Sequence, residues 1–211
     1  MSDRGAGTSS CVPAPLMDNN GNEGMVKMKF ASSILLFFPL LAAGQSFEGS
    51  VSGGTSSFTN GDLGSGYSLD NGLRLTFRMT LNTREYLGYE FGYAYNRTNL
   101  NGEGFDGQGM AVHQGFGDVL LYATDTESRF RPFVAGGVNF SNFVPPGQTA
   151  QYGQGQTKYG INYGGGVKVK LFGPWQVRFD FRQFNTGKPF GLGAGGRFLQ
   201  NEISAGVGFT I

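Results

Sequence analysis

Between Leu73 and Leu81 every second residue is apolar and those between are polar: Leu73, Leu75, Phe77, Met79 and Leu81 alternate with Arg74, Thr76, Arg78 and Thr80. Successive side chains of a strand point to opposite faces, so a strand sorts these sets cleanly, whereas a helix scatters both around its axis. The pattern recurs along the chain. Leu87, Tyr89, Phe91, Tyr93 and Tyr95 alternate with Gly88, Glu90, Gly92 and Ala94, after a short polar turn through Asn82, Thr83, Arg84 and Glu85 that predicts a tight hairpin. Tyr159, Ile161, Tyr163, Gly165, Val167, Val169 and Leu171 stand opposite Gly160, Asn162, Gly164, Gly166, Lys168 and Lys170. Phe172-Gly173-Pro174 then turns the chain, and Trp175, Val177, Phe179 and Phe181 follow opposite Gln176, Arg178, Asp180 and Arg182. A last strand from Phe198 to Ile211 has the apolar face Leu199, Ile203, Ala205, Val207, Phe209 and Ile211, interrupted by Asn201.

Three further segments read as strands. Ser46 to Phe58 sets Phe47, Gly49 and Val51 against Glu48, Ser50 and Ser52, whereas Met110 to Ala123 and Phe130 to Phe140 are apolar without strict alternation, which leaves their facing open. Composition agrees with an all-β chain: 37 Gly, 20 Phe and 9 Tyr accompany only 15% charged residues. A length of 211 residues suits one domain. Lys+Arg 16 against Asp+Glu 15 gives a formal charge of +1, too little field to draw the chain to nucleic acid. The single Cys11 has no second thiol for a disulfide or a thiolate metal site, and no cofactor is implied. A mean hydropathy of -0.21 argues against a helical membrane bundle but not against barrel strands, which face lipid only at alternate residues.

Residues 25 to 44 read as a signal peptide. Lys27 and Lys29 precede an apolar run from Phe30 to Ala43, and Ala42 and Gly44 place small side chains for cleavage before Gln45. The run is shorter than the roughly 20 residues a spanning helix needs. Residues 1 to 24 show no periodicity, and Met25 or Met28 is the expected start, leaving 45 to 211 as the mature domain.

Short connectors (83–85, about 125–128, 172–174) alternate with long ones (59–71, 96–108, 142–158, 185–197) that are rich in Gly, Asn, Gln and Pro. Short turns at one end and long loops at the other are the habit of transmembrane barrels. The charges sort with them: Arg74, Arg78, Glu90, Lys168, Lys170, Arg178, Asp180, Arg182 and Glu202 all oppose bulky apolar faces. A water-soluble barrel would have to pack those rings into a lumen too narrow for them. Turned outward they meet hydrocarbon, while closure pairs every backbone polar group. The expectation is therefore a closed antiparallel up-and-down transmembrane β-barrel of about eight strands with a charged lumen. Tyr86, Phe172 and Trp175 near the short turns, and Tyr95, Tyr159 and Phe198 near the long loops, would form two aromatic girdles, although Tyr86, Phe172 and Phe198 carry inward parity.

The lumen reads as a paired plug, because six cations (Arg74, Arg78, Lys168, Lys170, Arg178, Arg182) meet four anions (Glu90, Asp118, Asp180, Glu202) in a space that side chains fill. A narrow, anion-preferring pore is the alternative. Asn96-Arg97-Thr98 fits a glycosylation sequon, and Gly191 to Gly196 has dinucleotide-fingerprint spacing but precedes a strand rather than a helix, so it reads as a loop. His113 is the one histidine; Asp118 is near it in sequence without diagnostic spacing, and no serine is adjacent.

With the terminal strand read, residues 45 to 211 resemble the small outer-membrane barrel superfamily typified by the OmpA transmembrane domain and the OmpX and OmpW-like proteins. Ile203, Val207, Phe209 and Ile211 look like the C-terminal signal that the barrel-assembly machinery reads in that superfamily, which usually ends in Phe rather than in Ile211. The resemblance implies a bacterial outer-membrane location, membrane lipid and the assembly machinery as partners, and a monomer. It implies a non-enzymatic role in envelope integrity or surface interaction through long extracellular loops. Alternatives are a channel for small solutes or a lipid A-modifying barrel enzyme.

Overall fold

The computed structural model describes residues 46–211 apart from 60, 105–106, 149–154 and 191–195. The leader, Cys11, the cleavage point before Gln45 and most of the Gly191–Gly196 stretch lie outside the described residues. Ten strands follow one another: β1 (Ser46–Thr59), β2 (Asp62–Gly64), β3 (Tyr67–Leu69), β4 (Gly72–Arg84), β5 (Leu87–Asn101), β6 (Gln108–Tyr122), β7 (Phe130–Val144), β8 (Gln156–Lys170), β9 (Trp175–Gly187) and β10 (Arg197–Thr210). The eight long ones pair antiparallel with their chain neighbours, and β10 closes on β1 from Glu48↔Thr210 to Thr59↔Leu199. Each of the eight long strands is thereby paired on both sides, the condition lipid imposes on a spanning sheet.

Alternation sets the sidedness. Phe77 and Phe91 on the outer face are 51% and 63% exposed, whereas Arg74, Arg78, Arg178 and Arg182 are buried inside. The outward run from Leu73 to Leu81 is nine residues; at about 3.3 Å per residue and a tilt near 40° it rises roughly 22 Å, close to the apolar band of an outer-membrane barrel. Strands β6 and β7 lack alternation in the sequence because they are apolar on both faces. Phe116, Leu120, Tyr122, Phe133 and Ala135 point inward, and Val119, Leu121, Val134 and Val138 outward.

Toward the long-loop end the sidedness inverts. Leu100, Met110, Val112, Phe143 and Phe198 are buried inside, while Ser57, Thr59, Arg97 and Asn99 face out. There the strands continue past the apolar band, and a sheet wall in water buries its apolar face inward. Much of what reads as loop in the sequence is accordingly strand: β5 runs to Asn101 and β6 starts at Gln108. The first connector is also folded. Ser65 and Gly66, the two central residues between β2 and β3, both have positive φ (52° and 79°), the requirement of a type I′ hairpin turn. Strand β3 continues onto β5 through Ser68↔Asn101 and Leu69↔Leu100, and the hairpin buries Leu63 against the inverted cluster.

Candidate functional site in the barrel lumen

All eight long strands contribute inward polar residues, which converge on three clusters. At the centre, Glu90 of β5 takes both oxygens to Arg178 of β9, with Nη2 at 3.0 Å, and also receives Arg182 Nη2 at 3.0 Å and the Thr80 hydroxyl at 2.9 Å. Asp180 holds the other edge of Arg178 at 2.6 and 2.8 Å, and Arg182 reaches on to Asp118, which Asn162 also supports. Beside this lies Glu202 of β10, which accepts from Arg78 Nη2 at 2.7 Å and Ser204 at 2.7 Å and lies 2.9 Å from Arg74 Nε. Toward the short turns, Glu48 of β1 gathers Lys168, Asn82 at 2.6 Å and Gln176 at 3.0 Å, with Arg131 Nη1 at 3.7 Å.

Among the described residues buried in the lumen, six cations (Arg74, Arg78, Arg131, Lys168, Arg178, Arg182) face five carboxylates (Glu48, Glu90, Asp118, Asp180, Glu202). Removing that many charges from water is costly, and mutual pairing with hydrogen bonds on the remaining atoms is what makes burial tolerable. Aromatic rings fill the gaps: Arg131 lies 3.8 Å above Tyr122, Arg74 4.7 Å above Phe184 and Arg178 4.9 Å above Phe133. Gly92 makes space for one of these rings, since a Cβ there would stand 2.1 Å from Phe116 Cζ. The inward glycines at 92 and 166 thus admit Phe116 and Phe133.

Of the charges singled out in the sequence, Arg74, Arg78, Glu90, Lys168, Arg178, Asp180, Arg182 and Glu202 lie in this interior. Lys170 lies at the short-turn mouth instead, part-buried, and donates to the Thr126 carbonyl. Glu48, Arg131 and Tyr122 are network members that sequence reasoning missed. Glu48 was legible as the residue opposite Phe47, but Arg131 sits between Phe130 and Pro132 in a strand whose alternation is broken.

Of the six girdle residues, Tyr86, Tyr159, Phe172 and Trp175 are exposed and Tyr95 is half-buried. Phe198 is a correction: it is fully buried inside, stacked on Phe58 at 4.9 Å and edge-on to Phe143, because it lies above the level at which the wall inverts. At the C-terminus, Ile203, Val207, Phe209 and Ile211 are exposed, and Trp175 meets Phe209 edge-on at 5.3 Å.

His113 points outward from β6, where its Nδ1 is 2.6 Å from the Tyr93 hydroxyl and its ring meets Tyr95 edge-on. Asp118 points inward on the same strand, so the two form no dyad. Asn96 and Thr98 are buried within the wall, which closes the sequon to modification in the folded protein. Residue 197, directly after the glycine stretch, begins a strand, so no helix N-terminus stands there for a pyrophosphate. Among the described residues no His, Cys, Asp or Glu group could hold a metal ion.

The closed barrel fold agrees with the comparisons. Neisserial surface protein A shares the fold with a TM-score of 0.56 at 15% identity, covering 79% of this chain and 99% of that one. OprG of Pseudomonas aeruginosa follows at 0.54 and 16% (80% and 96% covered), and the Yersinia pestis attachment invasion locus protein Ail, solved with the heparin analogue sucrose octasulfate, at 0.50 and 11% (80% and 100% covered). No curated protein sequence matches. The family description "Outer membrane protein beta-barrel domain" matches residues 30–210, and the chain belongs to that family, a barrel of the bacterial outer membrane.

Proposed function

We propose that the mature chain, released from the signal peptide at residues 25–44, is a non-enzymatic monomeric barrel that supports envelope integrity and surface interaction through its loop end. The observation that carries this reading is the lumen itself: Glu90 is gripped by Arg178 and Arg182, and above it the apolar cluster of Leu63, Met110, Val112, Phe143 and Phe198 caps the interior. A lumen filled by side chains leaves the outer wall and the loop end as the working surfaces. The outward strip Ile203, Val207 and Phe209 supports recognition by the assembly machinery during insertion.

Single-channel recording in planar bilayers tests the sealed lumen. Wild-type protein gives no conductance steps on this reading, and regular steps from wild type would establish the pore instead. That second reading has one observation in its favour, the excess of one cation among the buried lumen charges, and it predicts a preference for anions.

A further inference from the structure

On the eight long strands the described carboxylates, Glu48, Glu90, Asp118, Asp180 and Glu202, all face the lumen. The charges on the outer face are arginines alone: Arg84 at the short-turn rim, opposite Leu87, and Arg97 and Arg197 at the loop-end rim, opposite Leu73 and Gly187. An outer wall that carries cations at both rims and no acid between them matches the two planes in which lipid phosphates lie.

Arg97 is set in a formed concavity. It lines a cavity of about 180 Å³ together with Tyr95, Gly109, Ala111, Val144 and Pro145. Its guanidinium lies across Gly109, where a Cβ would come within 2.9 Å of Nη2, so the absent side chain makes the bed for the cation. The Arg97 side chain makes no ion pair or hydrogen bond among the described residues, and it is exposed. Next to it on the same face, Tyr95 packs on His113, and the Tyr93 hydroxyl engages Nδ1, which leaves Nε2 as the open polar atom of the ring. Below them the same strand continues outward with Phe91 and Tyr89 into the apolar band.

We propose that Arg97, with Tyr95 and His113 beside it, is a binding site for a phosphate carried on the headgroup of an outer-leaflet lipid. The planar guanidinium fork suits bidentate capture of phosphate oxygens. The apolar wall directly beneath receives the acyl chains of the same molecule, which a soluble anion lacks. This site is separate from the lumen and holds whether or not the barrel conducts.

The test uses the folded full-length protein in non-ionic detergent, titrated with a bis-phosphorylated acylated glucosamine disaccharide and with its dephosphorylated counterpart, and read by native mass spectrometry and by the Arg97 Nε–H NMR signal. Wild type binds the phosphorylated lipid more tightly than the dephosphorylated one, and the Arg97 signal moves only with the former. R97Q weakens binding of the phosphorylated lipid by about tenfold, the size of one lost charge-assisted pair, and R97K recovers part of it. Equal binding of the two lipids by wild type, which needs no variant, would overturn the proposal. So would an R97Q barrel, verified as folded by its heat-modifiable gel migration, that binds like wild type. Inorganic phosphate that binds wild type as tightly as the glycolipid does would assign the site to a soluble anion and overturn it as well.

Discussion

Glu90 and Arg178 face each other across the lumen from β5 and β9, 88 residues apart in the chain, joined through both carboxylate oxygens and both terminal guanidinium nitrogens. No hairpin contact could bring them together; the pair exists only once the sheet has closed. Glu90→Ala leaves Arg178 and Arg182 short of a buried partner, and breaking such a pair costs about 3 to 5 kcal/mol. Denaturant unfolding of the bilayer-inserted barrel measures that loss, and the isosteric Glu90→Gln, which keeps the Thr80 contact, loses less.

The β2–β3 hairpin is the separable part of the cap. Leu63 is 1% exposed and reaches the cluster from a two-stranded hairpin held by Leu69 N–H to Gly61 O at 3.0 Å. Leu63→Ala removes about 2 to 5 kcal/mol of buried contact. Because the hairpin is a small appendage on β5, the expected result is faster amide exchange at Leu69, with little change in the β9 amides.

Space inside the wall is matched ring to glycine. Gly92→Val drives a side chain into Phe116 and is expected to destabilise the barrel by about 1 to 3 kcal/mol. Adding Phe116→Ala to the same chain relieves the clash, so a double-mutant cycle should give a coupling of opposite sign to the two single costs.

At the short-turn end, Asp125 shapes the connection between β6 and β7. Its carboxylate accepts from the Ser128 hydroxyl at 2.8 Å and from the Ser128 and Glu127 amides at 2.9 and 3.0 Å. The Ser128 hydrogen bonds hold its carboxyl below the ordinary aspartate range. A lowered folded value means the turn's contribution is complete at neutral pH and is lost as pH falls through that lowered value. Exchange of the Ser128 amide, corrected for its intrinsic pH dependence, should accelerate on acidification in wild type and be fast throughout in Asp125→Ala.

The membrane-spanning part of the fold was legible in the sequence because hydrocarbon demands apolar residues at every outward position. Leu73 to Leu81 and Trp175 to Arg182 therefore declare both their strand character and their facing. Legibility fails where that demand ends. Above the apolar band, Asn96, Thr98 and Phe198 face inward and Arg97 outward, so continued strand looks like polar loop and Phe198 like a girdle residue. It fails again in β6 and β7, where Phe116 and Phe133 sit inside among arginines and erase the alternation that would have revealed Arg131. Asn201, an interruption in the outer face of β10, has its explanation in space: it accepts from Gln183 and donates to Thr59, part of an outward polar chain near the loop end.

The direction in which the two faces point is measured most directly by tryptophan quenching with lipids brominated on their acyl chains. In a Trp175→Phe background, which removes the native indole, Phe77→Trp places the probe on the outer wall and Phe116→Trp places it in the lumen. Strong quenching at 77 with little at 116 is the predicted result. Quenching at 116 with a shielded probe at 77 would mean that the charged face meets the lipid, and the account of this barrel would be wrong.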